Sequence, residues 1–242
     1  MSKSFLLVGG SSDIGLQLAH LLLDEGHEIT VLARDVERTA SLAGRGATIV
    51  QGDALDEEAV QSAVEQAMLH GDGLAGVAHL VGSIALRPPH AMSLVDFEEV
   101  IRTNLTSAFL TLKLGGKAML KAGQGRMVFT SSVAASYGLT NHEAIAAAKG
   151  GLEAMVRSAA STYAQRGLRV NAVAPGLTET RLGASVLKSE PIREASVGMI
   201  PIKRINDPKE IAKSMHWLLT QAPDNFTGQV LHLDGGMSQL RG

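Results

Sequence analysis

The stretch SFLLVGGSSDIGLQLAHLLLDEG, residues 4–26, decides the fold. It opens with a run of strand length, Ser4–Val8, turns through VGGSSDIG (8–15), and continues with Leu16, Ala19, Leu22 and Leu23 at helical spacing as far as Gly26. Glycines between a first strand and a helix let the backbone turn sharply and approach a ligand. The free N–H groups and the positive helix end at that point suit a pyrophosphate. Taken alone, the loop also fits an ordinary turn between strand and helix.

The alternation continues along the chain. Short β-type runs, HEITVLA, ATIV, GVAHLV, RMVFTS, RVNAV and QVLHL, are mostly separated by segments of helical periodicity at 56–69, 94–114, 143–165 and 208–220. Strand–helix alternation favours a parallel sheet covered by helices on both faces, an α/β doubly wound fold. With 242 residues and 45% hydrophobic content, the expectation is a single domain over 1–242. The only long irregular stretch, 177–207, carries Pro191 and Pro201 and ends at Pro208. It is a candidate substrate lid over the carboxyl edge of the sheet.

Composition narrows the partners. Lys plus Arg number 22 against 24 Asp plus Glu, a net charge of −2 with no basic block. That balance argues against nucleic acid and anionic membrane as partners and leaves a small-molecule substrate. No cysteine is present, which excludes a disulfide framework and thiolate metal sites and sits easily with the cytoplasm. The apolar run Phe5–Val8 is too short for a signal-peptide core, and no run approaches membrane-spanning length. A metal is not expected either: His142 and Glu143 would need a histidine at 146 to make HExxH, and residue 146 is alanine.

Several ordered motifs together resemble the short-chain dehydrogenase/reductase family nearly end to end. The family's first motif, TGxxxGxG, is matched by Gly9 and Gly15, with Val8 in the threonine place and Asp13 replacing the middle glycine. GDA (52–54) is similar to the adenine-contacting segment, HLVG (79–82) to a diverged NNAG, and TNL (103–105) to the segment of the active-site asparagine. SSVAA (131–135) resembles the strand end with the catalytic serine, and Lys149 stands where the catalytic lysine would. APGLTET (174–180) resembles the segment beside the nicotinamide, and LDGG (233–236) the C-terminal signature. The resemblance implies a Rossmann-type, mainly parallel sheet of seven strands. It also implies hydride transfer between a dinucleotide and a small carbonyl or alcohol, in a homodimer or homotetramer assembled through the helices around 94–120 and 142–166. The implied cofactor contacts are Gly9, Ser11, Ser12, Asp13, Ile14, Gly15, Arg34, Arg38, Asp53, Ala54, Gly82, Lys149, Pro175, Gly176, Thr178 and Thr180.

Two departures touch the nucleotide end. Asp13 either repels the pyrophosphate or caps the following helix through its side chain, and the common capping role of aspartate favours the second. His79, in an asparagine place, reads as a satisfied structural histidine. Cofactor choice turns on VLARDVER (31–38): no acid ends the second strand, and Arg34, with Arg38 as a second contact, can offer a guanidinium to a 2′-phosphate. NADP(H) is therefore expected over NAD(H), although Ser12 stands where many NADP-dependent relatives are basic.

In the family a tyrosine four residues before the lysine gives its proton to the carbonyl oxygen, the serine binds that oxygen, and the asparagine holds a water. The matching residues here are Lys149, Ser132 and Asn104, but position 145 is isoleucine. Residues i and i+4 share a helix face, so Ile145 puts an aliphatic group where the acid belongs. Tyr137 is expected at the rim at most, and Tyr163 is about 27 Å away along the helix at 1.5 Å per residue. His142, three residues before Ile145 on the same face, is the better substitute; an N-cap at Asn141 would set it at the positive helix end. Two functions remain: an NAD(P)-dependent oxidoreductase with altered acid/base chemistry, or a dinucleotide-binding sensor or oligomer partner without it. A lyase or isomerase on the same site is a third.

Overall fold

The computed structural model describes residues 2–240 apart from 72, 185 and 188. Its strands are β1 (Ser4–Val8), β2 (Glu28–Ala33), β3 (Thr48–Gln51), β4 (Leu74–His79), β5 (Gly125–Thr130), β6 (Leu168–Pro175) and β7 (Val230–Leu233). They form one seven-stranded sheet in the order β3-β2-β1-β4-β5-β6-β7. Every neighbouring pair is parallel, so the sheet expected to be mainly parallel is wholly so among the described residues. The helices are α1 (Asp13–Asp24), α2 (Ala40–Ala43), α3 (Glu57–Met68), α4 (Leu94–Ile101), α5 (Ser107–Ala122), α6 (Glu143–Tyr163), α7 (Arg181–Ala184), α8 (Glu190–Gly198) and α9 (Pro208–Thr220).

The period of two in β1 divides the core. Leu6 and Val8 face one cluster with Val60, Val64, Leu112, Met119 and Leu152, from α3, α5 and α6. Phe5 and Leu7 face the other, with Leu18, Leu22, Ile211 and Met215 from α1 and α9. A one-residue slip would exchange the two sets, so burial on both faces fixes the register. Fully burying each such side chain contributes about 1.5–3 kcal/mol. The strand order reverses between β1 and β4, and at that switch the carboxyl ends leave a crevice for a ligand.

Two segments differ from the sequence expectation. The helix expected over 94–114 is interrupted by a π-helical turn, Arg102–Thr106, and then runs on to Ala122. A π turn inserts a residue into the helical ladder, and here that turn carries buried Asn104. The stretch 177–207 is not irregular throughout, because α7 and α8 lie within it. Its ends are pinned together: Thr178 and Asn206 form a parallel bridge, and Asn206 Nδ2 donates to Leu233 O at 2.6 Å. Beyond it α9 starts with Asp207 and Glu210 in a reciprocal capping box and Pro208 in the first turn.

Candidate active site

Glycine geometry shapes the nucleotide end. Gly9 turns with φ of 79°, the left-handed region, and its N–H donates to Leu32 O at 2.8 Å. A Cβ on Gly15 would lie 2.7 Å from Gly10 O and 2.8 Å from Gly10 Cα, so only glycine lets α1 begin this close to the loop. The N-cap of α1 is Ser12, whose Oγ accepts from Gly15 N at 3.1 Å. The expected cap, Asp13, is instead the first helical residue. Its carboxylate accepts from Arg38 Nη2 at 2.6 Å and from the Arg181 backbone N–H at 2.8 Å. Capping geometry explains the correction: a residue already in helical conformation directs its side chain away from the N–H groups of its own first turn.

One cavity of about 480 Å³ runs from this loop along the carboxyl edge to the start of α6. Ser11, Ser12, Asp13, Ile14, Gly9, Arg34, Asp53, Ala54, Gly82, Pro175, Gly176, Thr178 and Thr180 all line it, whereas Gly15 lies behind the loop. Arg34 stands exposed on the rim, 3.6 Å from an Asp53 carboxylate oxygen. Arg38 does not line the cavity: its guanidinium is held by Asp13 and by Ser11 O. The second 2′-phosphate contact expected from sequence is thus committed to the loop.

The other end holds Asn104, Ser132, His142, Ile145 and Lys149, brought to one cavity from three segments. Ser132, just past β5, takes an extended conformation and caps a short 3₁₀ turn, Val133–Ala135, its Oγ accepting from Ala134 N at 3.2 Å. Lys149 is buried on α6, and its Nζ donates to Thr130 O at 2.7 Å. Burial pushes its pKa down to about 7, so near neutrality it can both give and take a proton. A Cβ built on Gly82 would sit 3.1 Å from Asn104 Oδ1 and 3.7 Å from Lys149 Nζ, so both groups approach the same glycine. Asn104 also clamps the segment after β4: Nδ2 donates to Val100 O at 2.9 Å and Ser83 O at 3.2 Å, and Oδ1 accepts from Ser83 N at 3.1 Å.

Ile145 is 3% exposed and forms part of the cavity wall. Beside it, His142 is itself the N-cap residue of α6; Asn141, expected there, takes φ of 64° in the preceding turn. The ring nitrogen Nδ1 of His142 lies 2.8 Å from Thr140 O, a carbonyl that can only accept. Nδ1 therefore carries the hydrogen, which leaves Nε2 free of that contact. Tyr137 is exposed and does not line the cavity; Tyr163 packs against the core at the far end of α6. His79 is fully buried behind the site, its Nε2–H donating to Ser107 Oγ at 3.0 Å while Nδ1 has no hydrogen-bond partner among the described residues, and burial with the Lys149 charge pushes its pKa down to about 3.

Sequence reasoning missed the contributions of Thr130, Ser83 and the apolar wall formed by Leu139, Val186, Met199, Ile200 and Met237. Thr130 acts through its backbone oxygen, which no side-chain pattern reveals. Met199 and Ile200 fall at the end of α8 inside a stretch that read as irregular.

The family model described as enoyl-(acyl carrier protein) reductase matches residues 9–238. The chain is 32% identical over 242 residues to 3-oxoacyl-[acyl-carrier-protein] reductase MabA of Mycobacterium tuberculosis, covering 98% of this chain and 93% of the relative. It is also 32% identical to cis-4-hydroxycyclohexanecarboxylate dehydrogenase of Sinomonas cyclohexanicum, covering 97% of this chain and 96% of the relative. A variant of actinorhodin polyketide ketoreductase with NADPH superposes with a TM-score of 0.92 at 26% identity, over 99% of this chain and 98% of the other. These relatives are reductases and dehydrogenases, which disfavours a sensor without redox chemistry. The chain belongs to the short-chain dehydrogenase/reductase family and is an NAD(P)-dependent oxidoreductase.

Proposed function

We propose that the protein reduces an apolar carbonyl compound, or oxidises the matching alcohol, with NADP(H) in preference to NAD(H). The carrying observation is the single cavity whose nucleotide end is glycine-shaped and charged at the rim while its other end is walled by Leu139, Ile145, Met199 and Ile200 around Ser132 and Lys149. The cradle fits a dinucleotide: a side chain on Gly15 would force the loop away from α1, and Arg34 on the rim supplies a guanidinium for a 2′-phosphate. Gly9, Ser11, Ser12 and Ile14 would hold the pyrophosphate, with Gly15 supporting the loop from behind, Asp53 and Ala54 the adenine, and Gly82, Pro175, Gly176, Thr178 and Thr180 the nicotinamide end. When bound, the cofactor supplies or takes up a hydride.

The chain's own groups then manage oxygen and proton. Ser132 Oγ–H is the donor to the substrate oxygen. Lys149, anchored on Thr130 O, holds or releases a proton at Nζ. His142 takes the role the family gives to tyrosine: as imidazolium it donates from Nε2 during reduction, and as neutral imidazole it accepts at Nε2 during alcohol oxidation. Segment 177–207 acts as the lid of a single domain. No helix among the described residues is long and apolar enough to cross a membrane. A cytoplasmic homodimer or homotetramer fits the exposed apolar side chains Leu94, Val95 and Phe109 on α4 and α5.

The test is titration with NADPH and NADH followed by single-turnover hydride transfer to a panel of apolar ketones, in wild type and His142→Ala. Tighter NADPH binding and a loss of turnover in His142→Ala, on the order of tenfold or more, are expected. Unchanged turnover would remove His142 as the proton-exchanging group.

A further inference from the structure

Asp13 occupies a position in the nucleotide loop at which the family has glycine, and it does not cap α1. Its two carboxylate oxygens go to different segments. One accepts from Arg38 Nη2 at 2.6 Å, and the other from the backbone N–H of Arg181, 168 residues away, at 2.8 Å. Arg38 in turn donates to Ser11 O, which braces the loop from behind. The Arg181 side chain reaches toward Asp35, 4.0 Å away on the same rim. Arg181 is the first residue of α7, and Thr180, Arg181, Gly183 and Val186 line the cavity, so this segment is its roof. The Asp13 carboxyl, about one-quarter exposed, is raised by burial and lowered more strongly by the Arg181 N–H and the Arg38 guanidinium, for a net fall below the usual range. It is ionised at neutral pH, and both of its hydrogen bonds are charge-assisted.

We propose that Asp13 is a positioning residue: one carboxylate clasps the roof of the cofactor cavity to the nucleotide loop, so that the lifetime of bound NADP(H) is set by how often the Arg181–Asp13 bond opens. The inference rests on the reading of this cavity as the dinucleotide site. Glycine at 13 could make neither bond. The clasp also fixes the division of labour between the two arginines, since Arg38 is spent on the loop and Arg34 is left to face the ligand.

The experiment compares wild type with Asp13→Ala, Asp13→Asn and Asp13→Glu by three readouts: amide hydrogen exchange at Arg181 in the cofactor-free protein, NADPH dissociation by stopped-flow fluorescence, and the thermal midpoint. Asp13→Ala should speed Arg181 exchange and NADPH dissociation by about tenfold or more each, the scale of losing a charge-assisted hydrogen bond. Asp13→Asn, which keeps an acceptor but no charge, should fall between, and Asp13→Glu should recover part of the dissociation rate. A merely structural residue would lower the midpoint without this graded order. Slower NADPH dissociation in Asp13→Ala would overturn the proposal and make the carboxylate a repeller of pyrophosphate, and so would unchanged Arg181 exchange. If wild type binds neither NADPH nor NADH, the dinucleotide reading fails, while Arg181 exchange in the free protein still decides whether the clasp exists.

Discussion

The two ends of the cavity are built on different rules. At the nucleotide end the backbone dictates: Gly9 turns where side chains are strained, and Gly15 lies against Gly10 with no room for a Cβ. At the other end side-chain chemistry decides, through Ser132, Lys149 and His142 on the cavity wall. The first end tolerates little variation because sterics are unforgiving. The second accommodates an aliphatic sec-butyl group without disturbing the fold, because Ile145 packs as well as it lines. A fold can therefore keep its cofactor cradle while its acid/base chemistry moves to other residues.

The largest effect should come from restoring a phenol at the chemical end. Ile145→Tyr places an acid on the wall beside Lys149, and a positioned general acid is worth about 10²–10⁴ in rate, or roughly 3–5 kcal/mol at about 1.36 kcal/mol per decade. Single-turnover reduction of an apolar ketone by NADPH should rise accordingly. No gain, with NADPH binding intact, would show that the existing groups already deliver the proton and that the chemical end lacks nothing.

At the nucleotide end the corresponding break is steric. Gly15→Ala forces a methyl to within 2.7 Å of Gly10 O, which must push the loop from the helix. Overpacking of this kind destabilises by about 1–3 kcal/mol. Chemical denaturation should read that loss, and NADPH binding should weaken with it. A fully stable, fully binding variant would mean that this end is governed by side chains after all.

These two ends were also unequally legible in the sequence. The strand–glycine–helix reading of residues 4–26 held because each step is local: burial of β1, a left-handed Gly9, and the helical spacing of Ala19 and Leu22. The ordered motifs brought Ser132, Lys149 and Asn104 to one cavity. Two of the failures depended on partners distant in the chain. Asp13 read as a cap because its partners, Arg38 and Arg181, are 25 and 168 residues away. Arg38 read as a phosphate ligand for the same reason. The π turn at Arg102–Thr106 carries no breaker residue, and Asn141 in place of a cap reflects a turn set by Leu139–His142 pairing.

Behind the chemical end, His79 offers a smaller and pH-dependent test. Its native imidazole stays neutral down to about pH 3, whereas in the unfolded chain it takes a proton near the ordinary histidine value of 6.5. Between those values the unfolded state binds more protons, so stability rises with pH and is lost as pH falls. From pH 7.5 to pH 5 this one group should remove about 2 kcal/mol. His79→Asn should abolish that share of the acid loss, measured as the difference in denaturation free energy between wild type and variant at the two pH values. Parallel losses in the two proteins would show that the buried ring titrates with its surroundings.

The smallest expected effect separates charge from sterics within the nucleotide end itself. Arg34 is exposed, pairs only at 3.6 Å with Asp53, and carries no packing burden, so Arg34→Ala should leave stability within about 0.5 kcal/mol. On the proposed reading its guanidinium is a cavity-facing partner for a 2′-phosphate, since Arg38 is held by Asp13 and Ser11. Removing it should weaken NADPH by about tenfold, roughly 1.4 kcal/mol, and leave NADH unchanged, since only the first cofactor carries the phosphate. Equal weakening of both would place Arg34 on a shared part of the dinucleotide. Retained NADPH preference would mean that the phosphate draws Arg38 away from Asp13, and the two arginines would then exchange roles when the cofactor binds.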